Sequence, residues 1–329
     1  MGYPTVKTDV VTIGAGLTVD LRPPATQSFR VTEIGSDQWA GVLPNAIPQA
    51  NVSLFDGLIQ GEFLRSVDLR GWYRKQNIVI DHEHYLRVTN MAGVAANVSY
   101  SAELLRYSGV GNSIVRSDII TVGTGLTTDI RPPVADAEDW VIYDFCSSDW
   151  LGAPPNAVPN VEVDMNDGTL TARIMDSTEI RQWEPEIKLF VTRAQYITLT
   201  NAGAANANVG WSAELLRHKG VGNTVVRSSI QAAGAGLNVD FRPPDGEEWE
   251  VSVIGSGTWV GISPLQFPDI TASIFDATIG SIIETATSWH NHGNAMSLKI
   301  DHDHYLRVND ASGLGQSIGI SAQLIQRYA

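Results

Sequence analysis

Cysteine is nearly missing from this chain: Cys146 is the single thiol in 329 residues. That excludes an internal disulfide framework and any Cys-rich zinc site, and it leaves the redox compartment open. Long apolar runs are missing too. None approaches the roughly 18 residues that a membrane-spanning helix needs. The first ten residues, Met1 to Val10, lack the apolar core of a secretory signal. Export by an ordinary cleaved signal is therefore not expected, whereas release by lysis or assembly into a particle is compatible with the sequence. Charge is sparse and one-sided. Charged residues make up 18%, with 36 Asp and Glu against 22 Lys and Arg, for a formal net charge of -14. No Lys/Arg run forms a basic patch, so the overall field repels phosphates and anionic lipid surfaces. Neither nucleic acid nor a membrane is expected as a partner. The 43% hydrophobic content marks a globular chain.

Catalytic signatures are scarce. There is no G-x-S-x-G elbow and no H-E-x-x-H pair. Gly14-Ala15-Gly16 lacks the third glycine, the following helix and the lysine of a phosphate-binding loop.

What the sequence does have is a threefold internal repeat. Arg22-Pro23-Pro24 returns as Arg131-Pro132-Pro133 and Arg242-Pro243-Pro244. Gly14-Ala15-Gly16-Leu17 returns as Gly123-Thr124-Gly125-Leu126 and Gly234-Ala235-Gly236-Leu237. Residues 101–119 match 212–230 at 14 of 19 positions. Asp81 to Val88 returns with one change at Asp301 to Val308. The period, about 110 residues, is too long for a solenoid unit and equals one small domain. The expected organisation is three tandem domains, 1–112, 113–223 and 224–329. The joints Gly109-Val110-Gly111-Asn112 and Gly220-Val221-Gly222-Asn223 lead straight into strand-like sequence, so neighbouring domains are expected to touch.

Within a repeat the pattern is all-β. Thr18 to Arg22, Asn97 to Leu104 and Glu250 to Val253 alternate polar and apolar residues, as half-buried strands do. Gly, Pro, Asn and Asp clusters punctuate them at sandwich spacing. About eight strands per repeat are expected, the complement of a jelly roll. The fold class is therefore three tandem jelly-roll-like β-sandwich domains. Leu43 to Pro48 and Ala153 to Pro159 are rich in proline and read as loops.

The repeated residues define the candidate sites. Asp20 and Arg22 share a strand face, as do Asp129 with Arg131 and Asp240 with Arg242. They read as surface ion pairs at strand ends, or as a subunit contact used three times. Trp39, Trp150 and Trp259 hold register and read as core or inter-sheet packing. If exposed, they become ligand platforms or a repeated interface. Asp56, Asp167 and Asp276 read as turn residues, with a calcium ligand as the alternative. His82-Glu83-His84 and His302-Asp303-His304 place two imidazoles at i and i+2, which on a strand would share a face and grip a divalent metal. Trp289-His290-Asn291-His292 adds a third pair. The second repeat carries Arg193 and Gln195 instead, so a turn or an inter-domain contact explains the histidines equally well. Cys146 has no counterpart in the other repeats, which argues against a catalytic thiol.

The order of features in each repeat resembles the small β-sandwich structural proteins of tailed bacteriophage particles, especially head decoration, spike and fibre modules. A Gly-Leu strand ends in Arg-Pro-Pro; an acidic turn and an aromatic strand follow, as in Pro244 to Val251; the repeat closes as Tyr85 to Asn90 and Asn97 to Leu105 do. The resemblance implies a non-enzymatic virion protein on the exterior of the head, with the major capsid protein or other virion proteins as partners and no cofactor. Self-association as a homotrimer is compatible with it. A receptor- or glycan-binding spike module is the alternative, and a polysaccharide-degrading enzyme a third possibility.

Overall fold

The computed structural model describes residues 6–41, 46–66, 72, 76–106, 114–133, 138–152, 157–177, 187–217, 225–262, 265–285 and 296–327. The joints at 109–112 and 220–223 and the pair His290 and His292 lie outside the described residues.

Every element with described bounds is a β-strand. The first repeat supplies β1 (Asp9–Ile13), β2 (Thr18–Leu21), β3 (Ser28–Ser36), β4 (Trp39–Ala40), β5 (Ile47–Pro48), β6 (Ala50–Phe55), β7 (Gln60–Leu64), β8 (Ile78–Ile80), β9 (Tyr85–Asn90) and β10 (Ala96–Arg106). The second supplies β11 (Asp118–Val122), β12 (Thr127–Ile130), β13 (Asp139–Ser147), β14 (Trp150–Leu151), β15 (Val158–Pro159), β16 (Val161–Asn166), β17 (Thr171–Met175), β18 (Leu189–Val191), β19 (Tyr196–Asn201) and β20 (Ala207–Arg217). The third supplies β21 (Ser229–Ala233), β22 (Asn238–Phe241), β23 (Glu247–Ser256), β24 (Trp259–Ile262), β25 (Leu265–Pro268), β26 (Ile270–Phe275), β27 (Gly280–Thr285), β28 (Leu298–Ile300), β29 (Tyr305–Asp310) and β30 (Gln316–Arg327).

In the first repeat one sheet runs β1-β10-β3-β8 and the other β2-β9-β6-β7. That strand order is the double Greek key of a jelly roll. It recurs as β11-β20-β13-β18 with β12-β19-β16-β17, and as β21-β30-β23-β28 with β22-β29-β26-β27. The connection from the first strand to the second is fixed by Gly16, Gly125 and Gly236, with φ of 67°, 66° and 68°. A side chain there is strained, which explains why the glycine returns three times.

By packing, the chain divides into two compact units. One comprises 1–126, 142–161 and 201–215; the other comprises 127–141, 162–200 and 216–329. Of the second repeat, β11 and most of β13 and β20 fall in the first unit, and β12, β17, β18 and most of β16 and β19 in the second. The core of the first unit is built from inward residues of both sheets of the first repeat, among them Val31, Val52, Leu54, Phe63, Ile78 and Leu86, and it takes in Ile119 and Cys146. The core of the second includes Val251, Ala272, Leu306, Val308, Ile318 and Ile320.

The last residues of the two proline-rich stretches read as loops, Ile47–Pro48 and Val158–Pro159, are strands of short ribbons, while 43–45 and 153–156 lie outside the described residues. Trp39 pairs with Pro48 and Trp150 with Pro159, and Trp259 pairs with Pro268 in the third repeat. Each ribbon has only two strands, so proline loses no ladder bond it was required to make.

Candidate functional site

Joints between repeats are built from β-sheet edges, hydroxyl groups and small residues. In the first unit, β7 pairs with β13 through Glu62 and Ser147, which continues one sheet from the first repeat into the second. Beside it, the outward backbone groups of edge strand β8 are capped by serines. The Val79 N–H donates to Ser212 Oγ at 2.7 Å, the Ser117 hydroxyl donates to the Val79 carbonyl at 2.6 Å, and the Ser212 hydroxyl donates to the Asn77 carbonyl at 3.1 Å. An uncapped edge is a template for wrong pairing, and capping closes it. The second unit repeats the device. Arg173 on β17 pairs with Ser256 on β23. The Phe190 N–H donates to Ser321 Oγ, the Ser228 hydroxyl donates to the Phe190 carbonyl, and the Ser321 hydroxyl reaches the Lys188 carbonyl.

Close approach at these joints requires small side chains. A Cβ at Gly61, in the first repeat, would sit 3.1 Å from Cys146 Sγ and 3.3 Å from the Asn208 carbonyl oxygen of the second. In the second unit the positions corresponding to Gly61 and Cys146 hold Ala172 and Gly255. Cys146 is fully enclosed, and burial pushes its thiol well above the usual range, so it is an inert packing residue.

His84 adds an ion pair to the first joint. Its Nε2 lies 3.4 Å from Asp118 and its Nδ1 3.8 Å from Asp81. Burial works against the charged imidazole, but the hydrogen bonds and charges of Asp118 and Asp81 prevail and raise its pKa to about 9. The ring is therefore a cation at neutral pH. Both carboxylates are held below their usual range: burial opposes this, but their bonds to His84 outweigh it.

A folded-state pKa above the unfolded value of about 6.5 gives stability that is complete below pH ~6.5 and is lost as pH rises through 9. The depressed carboxylates contribute above pH ~4 and lose that contribution in acid. Wild type is expected to exceed His84→Gln by about 1 kcal/mol near pH 6, a modest figure because the Asp118 carboxylate is half exposed and screened. Urea titrations from pH 5.5 to 9.5 should show the gap closing at the alkaline end; a gap independent of pH would refute the pairing.

The histidine pairs do not sit on a strand. Residues 82–84 form the bend between β8 and β9, because Asp81 Oδ1 accepts the N–H groups of Glu83 and His84. Asp301 holds the same turn at 302–304. The shared-face geometry expected for His82 with His84 and for His302 with His304 is thus replaced by a turn. The rings are engaged separately. His82 Nδ1 is 3.0 Å from the Pro23 carbonyl, and His302 Nδ1 is 3.0 Å from that of Pro243. Arg193 makes the same kind of contact to Pro132 at 3.4 Å. His304 Nδ1 lies 3.4 Å from its own Asp301, and its side chain is 65% exposed. Among the described residues no group of three or more His, Cys, Asp or Glu side chains is arranged to hold a metal ion.

The strand-end ion pairs are also reassigned. Asp20 is bound by Arg87 across the ladder at 2.8 and 3.0 Å, and Asp240 by Arg307 at 2.7 Å. Asp20 faces Arg87 in register, and Asp240 faces Arg307. A bidentate cross-strand partner therefore outcompetes Arg22 and Arg242 two residues away. In the second repeat the facing residue is Thr198, and there Arg131 does reach Asp129, at 3.5 Å. Arg22 and Arg242 instead donate to the His82 and His302 carbonyls and lie over the rings of Tyr85 and Tyr305, as Arg131 lies over Tyr196.

The three tryptophans are not core residues. Trp39 is 55% exposed, while Trp150 and Trp259 are half-buried. Each indole N–H donates to a serine carbonyl three residues earlier: Ser36, Ser147 and Ser256. Arg65 covers the Trp150 ring at 5.5 Å. Asp56, Asp167 and Asp276 are turn residues, each accepting two backbone N–H groups.

Two roles were not read from the sequence. Asn90 and Asn201 are fully buried and tie three backbone groups or more each, and the serines of the joints cap the edge strands. The signal available was recurrence alone, since Ser and Asn are common in turns.

No protein-family model matches the chain, and no curated protein matches it. Among solved structures, the X-ray structure of the entire lipid-containing bacteriophage PM2 includes a chain 11% identical, with 96% of this chain and 100% of that one covered, at a TM-score of 0.16.

Proposed function

We propose that the chain is a non-enzymatic structural protein of a virion, a decoration or cement protein on the exterior of a phage-like head. Its modules are the repeats 1–112, 113–223 and 224–329. The reading rests chiefly on repeated display. The turn between the first two strands of each repeat presents a leucine to solvent, with Leu17, Leu126 and Leu237 exposed at 61%, 62% and 61%. Three like contact points on one chain gain avidity for a lattice without a strong single contact. The major capsid protein or another virion protein is the partner that offers such a lattice. A net charge of -14 suits a surface facing solvent rather than packaged DNA. The reading requires neither a cofactor nor a metal.

The experiment is peptide mass spectrometry on nuclease-treated, density-purified particles from the source culture. Recovery in the particle band, in numbers comparable to the capsid protein, is the expected result. Its absence from the band, with the protein free in the lysate, would overturn the reading.

A second reading, a receptor- or glycan-binding spike module, is favoured by the exposure of Trp39, since an open indole is a platform for a sugar ring. It expects glycan-array binding that Trp39→Ala abolishes.

A further inference from the structure

The joint between repeats has an offering half and a receiving half, and among the described residues the third repeat carries an offering half, and the first a receiving half, without a mate. The offering half of the third repeat is the edge formed by β27 and β28. Lys299 stands where Val79 and Phe190 stand in the earlier repeats, by its pairing with Glu250 on β23. Val79 and Phe190 are 0% and 3% exposed, whereas Lys299 is exposed. β27 ends its sheet, and Ile282, the counterpart of Glu62 and Arg173, is 64% exposed.

The receiving half of the first repeat is open in the same way. Ser212 and Ser321 are each 0% exposed, but their counterpart Ser101 is only partly buried. Ser117 and Ser228 are 4% and 8% exposed, but Thr8 is exposed. Ser147 and Ser256 are 0% exposed, but Ser36 is not buried. Trp39, the counterpart of the ring that Arg65 covers, lies open.

We propose that the chain associates head to tail with a second copy of itself, the β27–β28 edge of one copy docking on the β1, β3 and β10 face of the next. Three features favour this occupant over any other. The hydroxyls that cap the internal edges, at Thr8 and Ser101, are present at the open face. The close-approach positions remain small, with Gly35 and Ser99 on the receiving side and Ser281 on the offering side. The charge pair of the first joint is restored: His84 meets Asp118 inside the chain, and their counterparts at the open ends are His304 and Asp9. The second internal joint carries the uncharged Gln195 and Ser229 at those positions.

Two contacts of the first joint are not reproduced, and in one of them Thr285 stands at the position of Arg65, which covers Trp150. In the other, Arg30 pairs with Glu214 at the first joint, while the copy-to-copy joint sets Glu250 near Glu103. Association between copies is therefore weaker than the internal joints and depends on concentration. A joint of this heterologous kind gives a ring or an open filament, according to whether its rotation closes.

Sedimentation velocity on the full chain from about 1 to about 300 μM, a range that brackets the weaker specific interfaces, tests the proposal. Growth of dimer and larger species with concentration is expected. Ser101→Arg blocks the receiving face, and Lys299→Pro removes the outward N–H of the offering edge, a position where a sheet edge tolerates proline. Each variant alone should stay monomeric, and an equimolar mixture should form dimers and nothing larger. That restoration also shows both variants to be folded. A wild type monomeric throughout the range, or association that neither variant alters, would overturn the proposal. So would a Ser101→Cys, Lys299→Cys double variant that, when oxidised at high dilution, closes its disulfide within one chain.

Discussion

Replacing Asn201 with leucine is expected to destabilise the chain by about 3–5 kcal/mol, because it strands buried backbone groups rather than removing packing. The side chain is fully buried; its Nδ2 donates to the Val122 and Ala205 carbonyls at 2.9 and 2.8 Å, and its Oδ1 accepts the Gly203 N–H at 2.9 Å. Leucine fills a similar volume and answers none of these groups. The first repeat uses Asn90 in the same way, on the Ile13, Gly14 and Val94 carbonyls and the Ala92 N–H. The third repeat has Asp310, and its surroundings differ to match. Every partner there is a donor: the Ser312 N–H and hydroxyl, the Gly315 N–H and the Gln316 amide. Burial works against that carboxylate, yet these donors hold its pKa below the usual range. Asn201→Asp should therefore also be damaging, since it aims a carboxylate at two carbonyls. Urea midpoints of the two Asn201 variants, read by tryptophan fluorescence, decide the matter. Midpoints within error of wild type would show that the buried asparagine is dispensable.

Gly210→Val is expected to cost at least about 3 kcal/mol, at the upper end of what overpacking does. The added Cβ would stand 2.8 Å from the Asp118 carbonyl oxygen and 2.9 Å from Cys146 Sγ. The first is backbone held by the β11–β20 ladder, in which Ile119 faces Gly210, so it has nowhere to retreat. Gly93→Ala is the control: nothing lies within 4 Å of a Cβ there, and a change within about 0.5 kcal/mol is expected. Thermal unfolding of the pair tests it. Equal melting points would mean that the β11–β20 ladder yields more easily than its geometry implies.

The repeat and the strands were legible because both are written in periodicity. The three Arg-Pro-Pro anchors fix the register of the repeats, and period-two alternation in Thr18 to Leu21 fixes a strand. Pairing partners were not legible. Alternation shows that Asp20 and Arg22 share a face, but it is silent on Arg87, which reaches Asp20 only once β2 and β9 are laid side by side. The histidines misled for a related reason. The i, i+2 rule holds on a strand, and Asp81 bends the chain out of one. The joints were the least visible part. Gly61, Ser117 and Ser212 are ordinary residues one by one, and they become a site only when the edge of one repeat is set against the next.

The direction of the joint also imposes an order in time. Synthesis runs from the N-terminus, so the offering edge at β7 and β8 exists before the residues that cover it. Ser212 follows Ile80 by more than a hundred residues, a delay of about 7 to 26 seconds at elongation rates of about 5–20 residues per second. For that interval each nascent chain on a crowded message exposes an edge built to accept the face of a repeat. The neighbouring ribosome's product carries such a face, complete as soon as its own first jelly roll closes. The layout that lets modules be strung together thus places a premium on well-spaced ribosomes, and any pause just after β10 lengthens the exposure.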